Sequence, residues 1–214
     1  MDYRISTITA ISKLNCLINL QKMYDSIDIN DDGKIFYNTL NETKIVEEII
    51  FIEYGRTKDI SNSKGINPKN AKKNTYKKKV KTSKRFDNQL TIVLKVNNNN
   101  INMKLFKNGR VQMTGLKDIN NGPIAIQFII DLIKNINNDI IDVDKNKLEY
   151  SNYKICLINS DFKFNTKIKR NDLFKFIIDN TDLICSYEPC IYPGVKLQYY
   201  YNKDNDGVCK CAEY

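Results

Sequence analysis

The sequence predicts an α+β fold: an antiparallel sheet with a helix covering one face, built from two copies of one strand–turn–helix unit. Three observations carry that expectation. Alternating apolar and polar residues flank a tight turn at Asn108-Gly109. One apolar stripe at three- and four-residue spacing runs through Ile126, Ile129, Ile130 and Ile133. An ungapped self-similarity relates residues 150 positions apart, setting Tyr3-Arg4-Ile5 against Tyr153-Lys154-Ile155, Ile8 against Ile158, Lys13 against Lys163, Ile18 against Ile168 and Ile27 against Ile177.

Taken in order, each copy reads as an extended strand, a turn and a short helix. The helices fall at about residues 20–27 and 172–179, and Asn171-Asp172 offers capping oxygens to the second. Cys16 and Cys156 lie on apolar stretches and are expected to be buried thiols. Asp28-x-Asn30-x-Asp32-Gly33 has the wrong glycine and glutamate spacing for a calcium loop and reads as an Asp/Asn turn. Ile49-Ile50-Phe51-Ile52 reads as an extra strand. Residues 56–84 are polar and basic, with too little apolar surface to offset their ordering entropy, and read as a mobile loop.

Residues 86–114 give three strands, two of them joined at Asn108-Gly109, the pair that a two-residue type I′ turn favours. Residues 97–100 form a polar turn, and Gly122-Pro123 opens a helix to about Asn135, widened by Phe128 and Leu132. Residues 137–146 link to the second copy. That copy reaches a strand at 195–201 and stops at Tyr214, without a counterpart of the first copy's last hairpin and helix. The expected division is residues 1–147 and 148–214, the second repeat being incomplete, either in a fragment or in a degenerate half. Its last strand would be an unpaired edge.

The net charge is +9, and residues 69–85 hold nine Lys and Arg with no acid, so the remainder is near neutral. Such blocks bind polyanions when they bind anything. No run approaches the roughly 20 apolar residues of a membrane span, and the N-terminus does not read as a secretion signal. With no His, no phosphate-binding glycine loop and no carboxylate pair at metal spacing, the sequence points away from an enzyme. Cys185, Cys190, Cys209 and Cys211 could together hold zinc, but Cys-x₄-Cys with Cys-x-Cys is not the usual ligand spacing, so no metal or other cofactor is expected.

Four stretches resemble the TATA-box-binding protein family, in that family's order: Ile5-Ser6-Thr7-Ile8; Lys84-Arg85-Phe86 with the following strand; Phe106-x-x-Gly109-Arg110-x-x-x-Thr114-Gly115; and Ser186-Tyr187-Glu188-Pro189-Cys190-Ile191-Tyr192-Pro193-Gly194. The insertions and the Asn/Lys/Ile-rich wording are similar to forms carried by large DNA viruses. The resemblance implies a saddle, a curved antiparallel sheet with helices on one face in two pseudo-symmetric repeats. It implies binding and bending of double-stranded A/T-rich promoter DNA from the minor groove, in transcription initiation beside a IIB-type factor and RNA polymerase. The location implied is a site of transcription, either the host nucleus or a viral factory in the cytoplasm, not a secreted one.

By the same resemblance, Phe86, Phe106 and Tyr192 would wedge between bases. Ile5, Thr7, Gln112, Thr114 and Asn159 would face the groove, and Lys84, Arg85, Lys95 and Arg110 would meet phosphates. The family's groove-centre Asn is replaced by Tyr3 and Ile155. Two alternatives stand beside this reading: a protein-interaction platform on the same fold, and nonspecific nucleic-acid binding through the basic insertion alone.

Overall fold

Period-two alternation lays down a sheet with one apolar face. In β1 (Tyr3–Leu14), Ile8, Ala10, Ser12 and Leu14 are buried while Ile11 and Lys13 are exposed. The computed structural model describes residues 3–55, 63–65, 88–136 and 139–200. The chain divides into two compact units, Met1–Phe162 and Lys163–Tyr214.

The first unit holds α1 (Leu20–Asp25), β2 (Ile27–Ile29), β3 (Ile35–Asn38), β4 (Thr43–Ile45), β5 (Ile49–Tyr54), β6 (Ser63–Gly65) and β7 (Gln89–Val96). It continues with β8 (Asn99–Phe106), β9 (Arg110–Leu116), α2 (Asn121–Asn135) and β10 (Tyr150–Phe162). Seven strands form one antiparallel sheet in the order β10-β1-β9-β8-β7-β5-β6, and β2, β3 and β4 form a small second sheet.

The predicted stripe of α2 is buried at Ile126, Ile129, Ile130, Leu132 and Ile133. These residues share one cluster with Ile8, Leu14, Leu90, Ile92, Met103 and Met113 of the sheet. Each such side chain contributes roughly 1.5–3 kcal/mol on burial. Asn121, at the start of α2, is also buried, and its Oδ1 accepts from Asn97 Nδ2 at 2.9 Å.

Several expectations need correction. The two-residue turn with positive φ at both positions is Asn97 (47°) and Asn98 (62°), between β7 and β8. Asn108-Gly109 instead closes a three-residue loop, residues 107–109, in which only Gly109 has positive φ (78°) and its N–H donates to Phe106 O at 2.9 Å. Close approach explains the glycine: a Cβ there would lie 2.5 Å from the carbonyl oxygens of both Leu14 and Cys16.

The first helix ends at Asp25, because Ile27 already pairs with Tyr37 in the small sheet. The Asp/Asn turn joins β2 and β3, with Asn30 Oδ1 accepting from Lys34 N at 2.8 Å. Within the stretch read as a loop, Ser63–Gly65 adds a strand to β5. It is fixed by Lys64, whose ammonium donates to Tyr24 O at 3.1 Å and Asp28 Oδ1 at 2.9 Å and lies 4.4 Å from the Tyr24 ring centroid. Those partners give a lysine in a polar stretch a reason to order. The rest of that stretch lies outside the described residues. Cys16 is buried as expected but Cys156 is exposed, because β10 is an outer strand of the sheet.

The strand from each copy pairs with the other. β1 and β10 run antiparallel with Ile8 directly opposite Ile158, the residue 150 positions on. A two-fold axis between these two residues would exchange the strands.

The second unit contains α3 (Arg170–Asn180), β11 (Ile184–Ser186) and β12 (Lys196–Gln198). The residue capping α3 is Lys169, with no side-chain cap, so Asn171 and Asp172 lie inside the first turn, where the Asp172 charge favours the helix dipole. The final strand is shorter than expected and is not unpaired: Leu197 lies opposite Cys185. Among the described residues of this unit only Ile177 is buried.

Candidate nucleic-acid interface

The face of the large sheet opposite the apolar core is built in cross-strand rows. Lys13 of β1 lies directly opposite Arg110 of β9, and beyond the turn Phe106 of β8 lies opposite Gln89 of β7. The next row runs Ile11, Gln112, Lys104 and Thr91. The third runs Leu157, Thr9, Thr114, Asn102 and Val93. Lys95 opposite Asn100 closes the far end. On β1, β9, β8 and β7 these rows contain no carboxylate.

The hairpin end of this face is concave. A depression of about 810 Å³ has Ile11, Lys13, Phe106, Arg110, Gln112 and Asn152 among its lining residues. Phe106 is half-buried beside fully buried Leu105, and Arg110 is exposed. The Arg110 backbone N–H is held by Asn108 Oδ1 at 3.2 Å.

Thr7 faces Asn159 across the β1–β10 seam, and its Oγ1 accepts from Gly115 N at 3.1 Å. Gly115 has φ 90°, and a Cβ on it would meet Asn100 O at 2.7 Å, so the strand bends there without a side chain. Ile5 is half-buried against the core, beyond a register shift at Ser6. The structure therefore gathers Phe106, Arg110, Gln112 and Thr114 on one face, with Thr7 and Asn159 along its β1–β10 edge and Lys95 at its far end. Phe86, Lys84 and Arg85 lie outside the described residues, as do Cys209 and Cys211.

Tyr192 belongs to the second unit. It is 62% exposed, on a turn in which Glu188 O accepts from the N–H groups of both Ile191 (2.9 Å) and Tyr192 (2.8 Å). Its ring crosses Gly194, where a Cβ would come within 2.7 Å of Tyr192 Cε1. Cys185 is partly exposed and Cys190 exposed, and both are free thiols. Among the described residues, no three potential metal ligands come together, and no helix is long and apolar enough to cross a membrane.

Sequence reasoning missed Thr9, Asn102, Lys104 and Lys13. Counting in twos from Gln112 gives the faces of β9, but the β1–β9 and β8–β9 registers are needed to add these four.

Comparison with known proteins decides the family. The chain is 31% identical over 187 residues to a TATA-box-binding protein-like protein of Acanthamoeba polyphaga mimivirus, covering 82% of this chain. The chain is a divergent TATA-box-binding-protein-like protein. It spans 45% of that curated relative's length. In fold it is similar to the TBP of Methanococcus jannaschii, with a TM-score of 0.50 at 18% identity, covering 91% of this chain and 75% of the archaeal one. No family model matches the sequence.

Proposed function

We propose that this TATA-box-binding-protein-like chain binds double-stranded DNA through the open face of its seven-stranded sheet, from the minor groove and at A/T-rich sites. The observation that carries the reading is the order of chemistry along the strands. Hydroxyl, amide and apolar side chains (Thr9, Thr114, Asn102, Leu157) occupy the middle, and cations (Lys13, Arg110 and Lys104 at one end, Lys95 at the other) flank them. The outermost rows are three steps apart, about 20 Å along the strands. Phosphates flank base edges in a groove in the same order. At A·T pairs the minor groove presents acceptors, to which hydroxyl and amide donors are suited and carboxylates are not.

In this reading Phe106, beside the turn and on the same face as Arg110, presses between base pairs at the end of the contact. The finer role proposed is transcription initiation, beside a IIB-type factor and RNA polymerase at a viral or host site of transcription. The relative's name and the family resemblance support it.

The test is anisotropy of labelled A/T-rich and G/C-rich duplexes over a salt series, repeated with a minor-groove-binding dye as competitor. The expected result is tighter binding to the A/T-rich duplex and displacement by the dye. Binding indifferent to both base composition and dye would overturn the groove reading and leave a nonspecific polyanion binder.

A further inference from the structure

We infer that the outer edge of β10 pairs with the same strand of a second copy of this chain, antiparallel about a two-fold axis at Ser160. The pairing is independent of the proposed DNA interface.

The duplication identifies what that edge lacks. β1 and β10 are counterparts, and each lies against the other. β1 has β9 on its second side, whereas among the described residues no strand lies on the second side of β10. The consequence shows at matched positions. Ile8 is fully buried, and its counterpart Ile158 is 54% exposed. Ser12 is buried, and its counterpart Phe162 is 52% exposed. β10 is 13 residues long, and a long edge with apolar side chains is a template for another strand.

Only one stretch of β10 is regular. The register on β1 skips Cys156, and Asn152 stands in the left-handed region with φ 54°. Irregularities of this kind blunt an edge. From Leu157 to Phe162, by contrast, every β10 residue has a partner on β1. Ile158, Ser160 and Phe162 lie on the core side, in line with Ile8 and Ile5, and Leu157, Asn159 and Asp161 lie on the open side.

The side chains of this stretch select a register with themselves. An axis falling between two residues would set core-side against open-side positions, so the axis must pass through a residue. At Asn159 it would set Ile158 opposite Ser160 and Leu157 opposite Asp161. At Ile158 or Asp161 it would set Leu157 opposite Asn159, or Ser160 opposite Phe162. At Ser160 it sets Ile158 opposite Phe162 of the second copy, twice, and Asn159 opposite Asp161, twice. Apolar then meets apolar on one face and amide meets carboxylate on the other, with the small Ser160 on the axis. A β-branched residue opposite an aromatic one is a favourable cross-strand pair. Self-complementarity of this kind is what a two-fold contact requires, so the occupant is a second copy of the chain. The paired run, residues 158–162, spans about 16 Å and joins two seven-stranded sheets into one.

Sedimentation velocity of the full chain over a concentration series tests the pairing. A contact this small belongs with weak, transient interfaces, so the parent should pass from monomer to dimer as concentration rises. Ile158→Lys removes both Ile–Phe pairs and should weaken association by roughly tenfold or more. Its melting temperature in dilute solution should match the parent's, because Ile158 is already half exposed. Phe162→Glu should behave in the same way. An equimolar mixture of the two variants should associate again, because each mixed dimer keeps one Ile–Phe pair and sets an ammonium opposite a carboxylate at the other. That rescue is specific to an axis at Ser160. A parent that stays monomeric overturns the proposal and leaves the edge to a strand of another protein. An Ile158→Lys chain that associates like the parent, or a mixture that associates no better than either variant alone, overturns it as well.

Discussion

Phe106 is half-buried while Met103 and Leu105 on the same strand are fully buried, so its ring contributes little to the core. Truncating a fully buried Phe costs ~3–5 kcal/mol. Phe106→Ala should cost clearly less, yet it should remove duplex bending while leaving salt-dependent association in place. Urea denaturation and the end-to-end distance of a doubly labelled duplex check both halves. A variant that melts like the parent and still bends DNA disproves the wedge. Cys16 behaves oppositely. Burial, reinforced by the Asp142 charge, pushes its thiol up to about 11 from an ordinary 9.0. Burial also raises Tyr24, Tyr37 and Tyr153 above their usual value. A group with a raised folded pKa contributes fully below its unfolded pKa, and the contribution is lost as pH rises through the folded one. Stability should therefore fall from pH 9 to 11, by up to ~1.4 kcal/mol per pH unit for a single group. Cys16→Ala should soften that fall; an equally steep fall in the variant would clear Cys16 of the effect. Composition alone could place Cys16 inside, but not Cys156. The two lie on similar apolar stretches, and only the sheet order shows that one of them is on an outer strand.

The two hairpins of the central sheet show what a turn motif does and does not specify. Asn-Gly at 108–109 has the wording of a type I′ turn, but β9 begins only at Arg110, and the glycine is used to pass between Leu14 and Cys16 backbone carbonyls. That approach is a tertiary fact, absent from any local pattern. The I′ conformation falls on Asn97-Asn98, where the second asparagine holds φ 62° at a position that glycine occupies without steric cost. Asn98→Gly should therefore stabilise the protein or leave it unchanged, by no more than ~1 kcal/mol, with no change in DNA binding. A destabilisation above that, read from the urea midpoint, would show that the Asn98 side chain holds the turn. Helix α2 was legible throughout, because its stripe, its Gly-Pro start and its end all lie in the local sequence. Strand β6 was not: Ser63-Lys64-Gly65 has no strand pattern, and its order depends on carbonyl and ring partners near the end of α1.

On the scale of the whole chain, an ungapped repeat of 150 residues and an antiparallel register that sets Ile8 against Ile158 are two views of one duplication. The repeat was readable in the sequence; where the compact units divide was not. Strand β10 carries the second copy's opening residues, yet it completes the first unit's sheet, and its Tyr153 donates to Ile119 O at 2.8 Å beside the start of α2. Among the described residues, the buried apolar ones, Ile177 apart, all come from the first unit. The described residues beyond Phe162 thus add little burial, and hydrophobic burial is the main term favouring folding. A chain ending at Phe162 should fold cooperatively and melt within a few degrees of the full chain, a shift matching about 1 kcal/mol or less for a domain of this size. A chain ending before Tyr150 should melt far lower. It loses the β1–β10 ladder, the Tyr153 hydrogen bond and the partly buried Ile155, and it leaves Ser12 Oγ without the Ser151 carbonyl it bonds at 2.8 Å. Calorimetry of the two truncations side by side gives the answer. If both melt alike, β10 is not part of the cooperative core. If the longer one shows no sharp transition, the first unit depends for its stability on residues beyond Phe162.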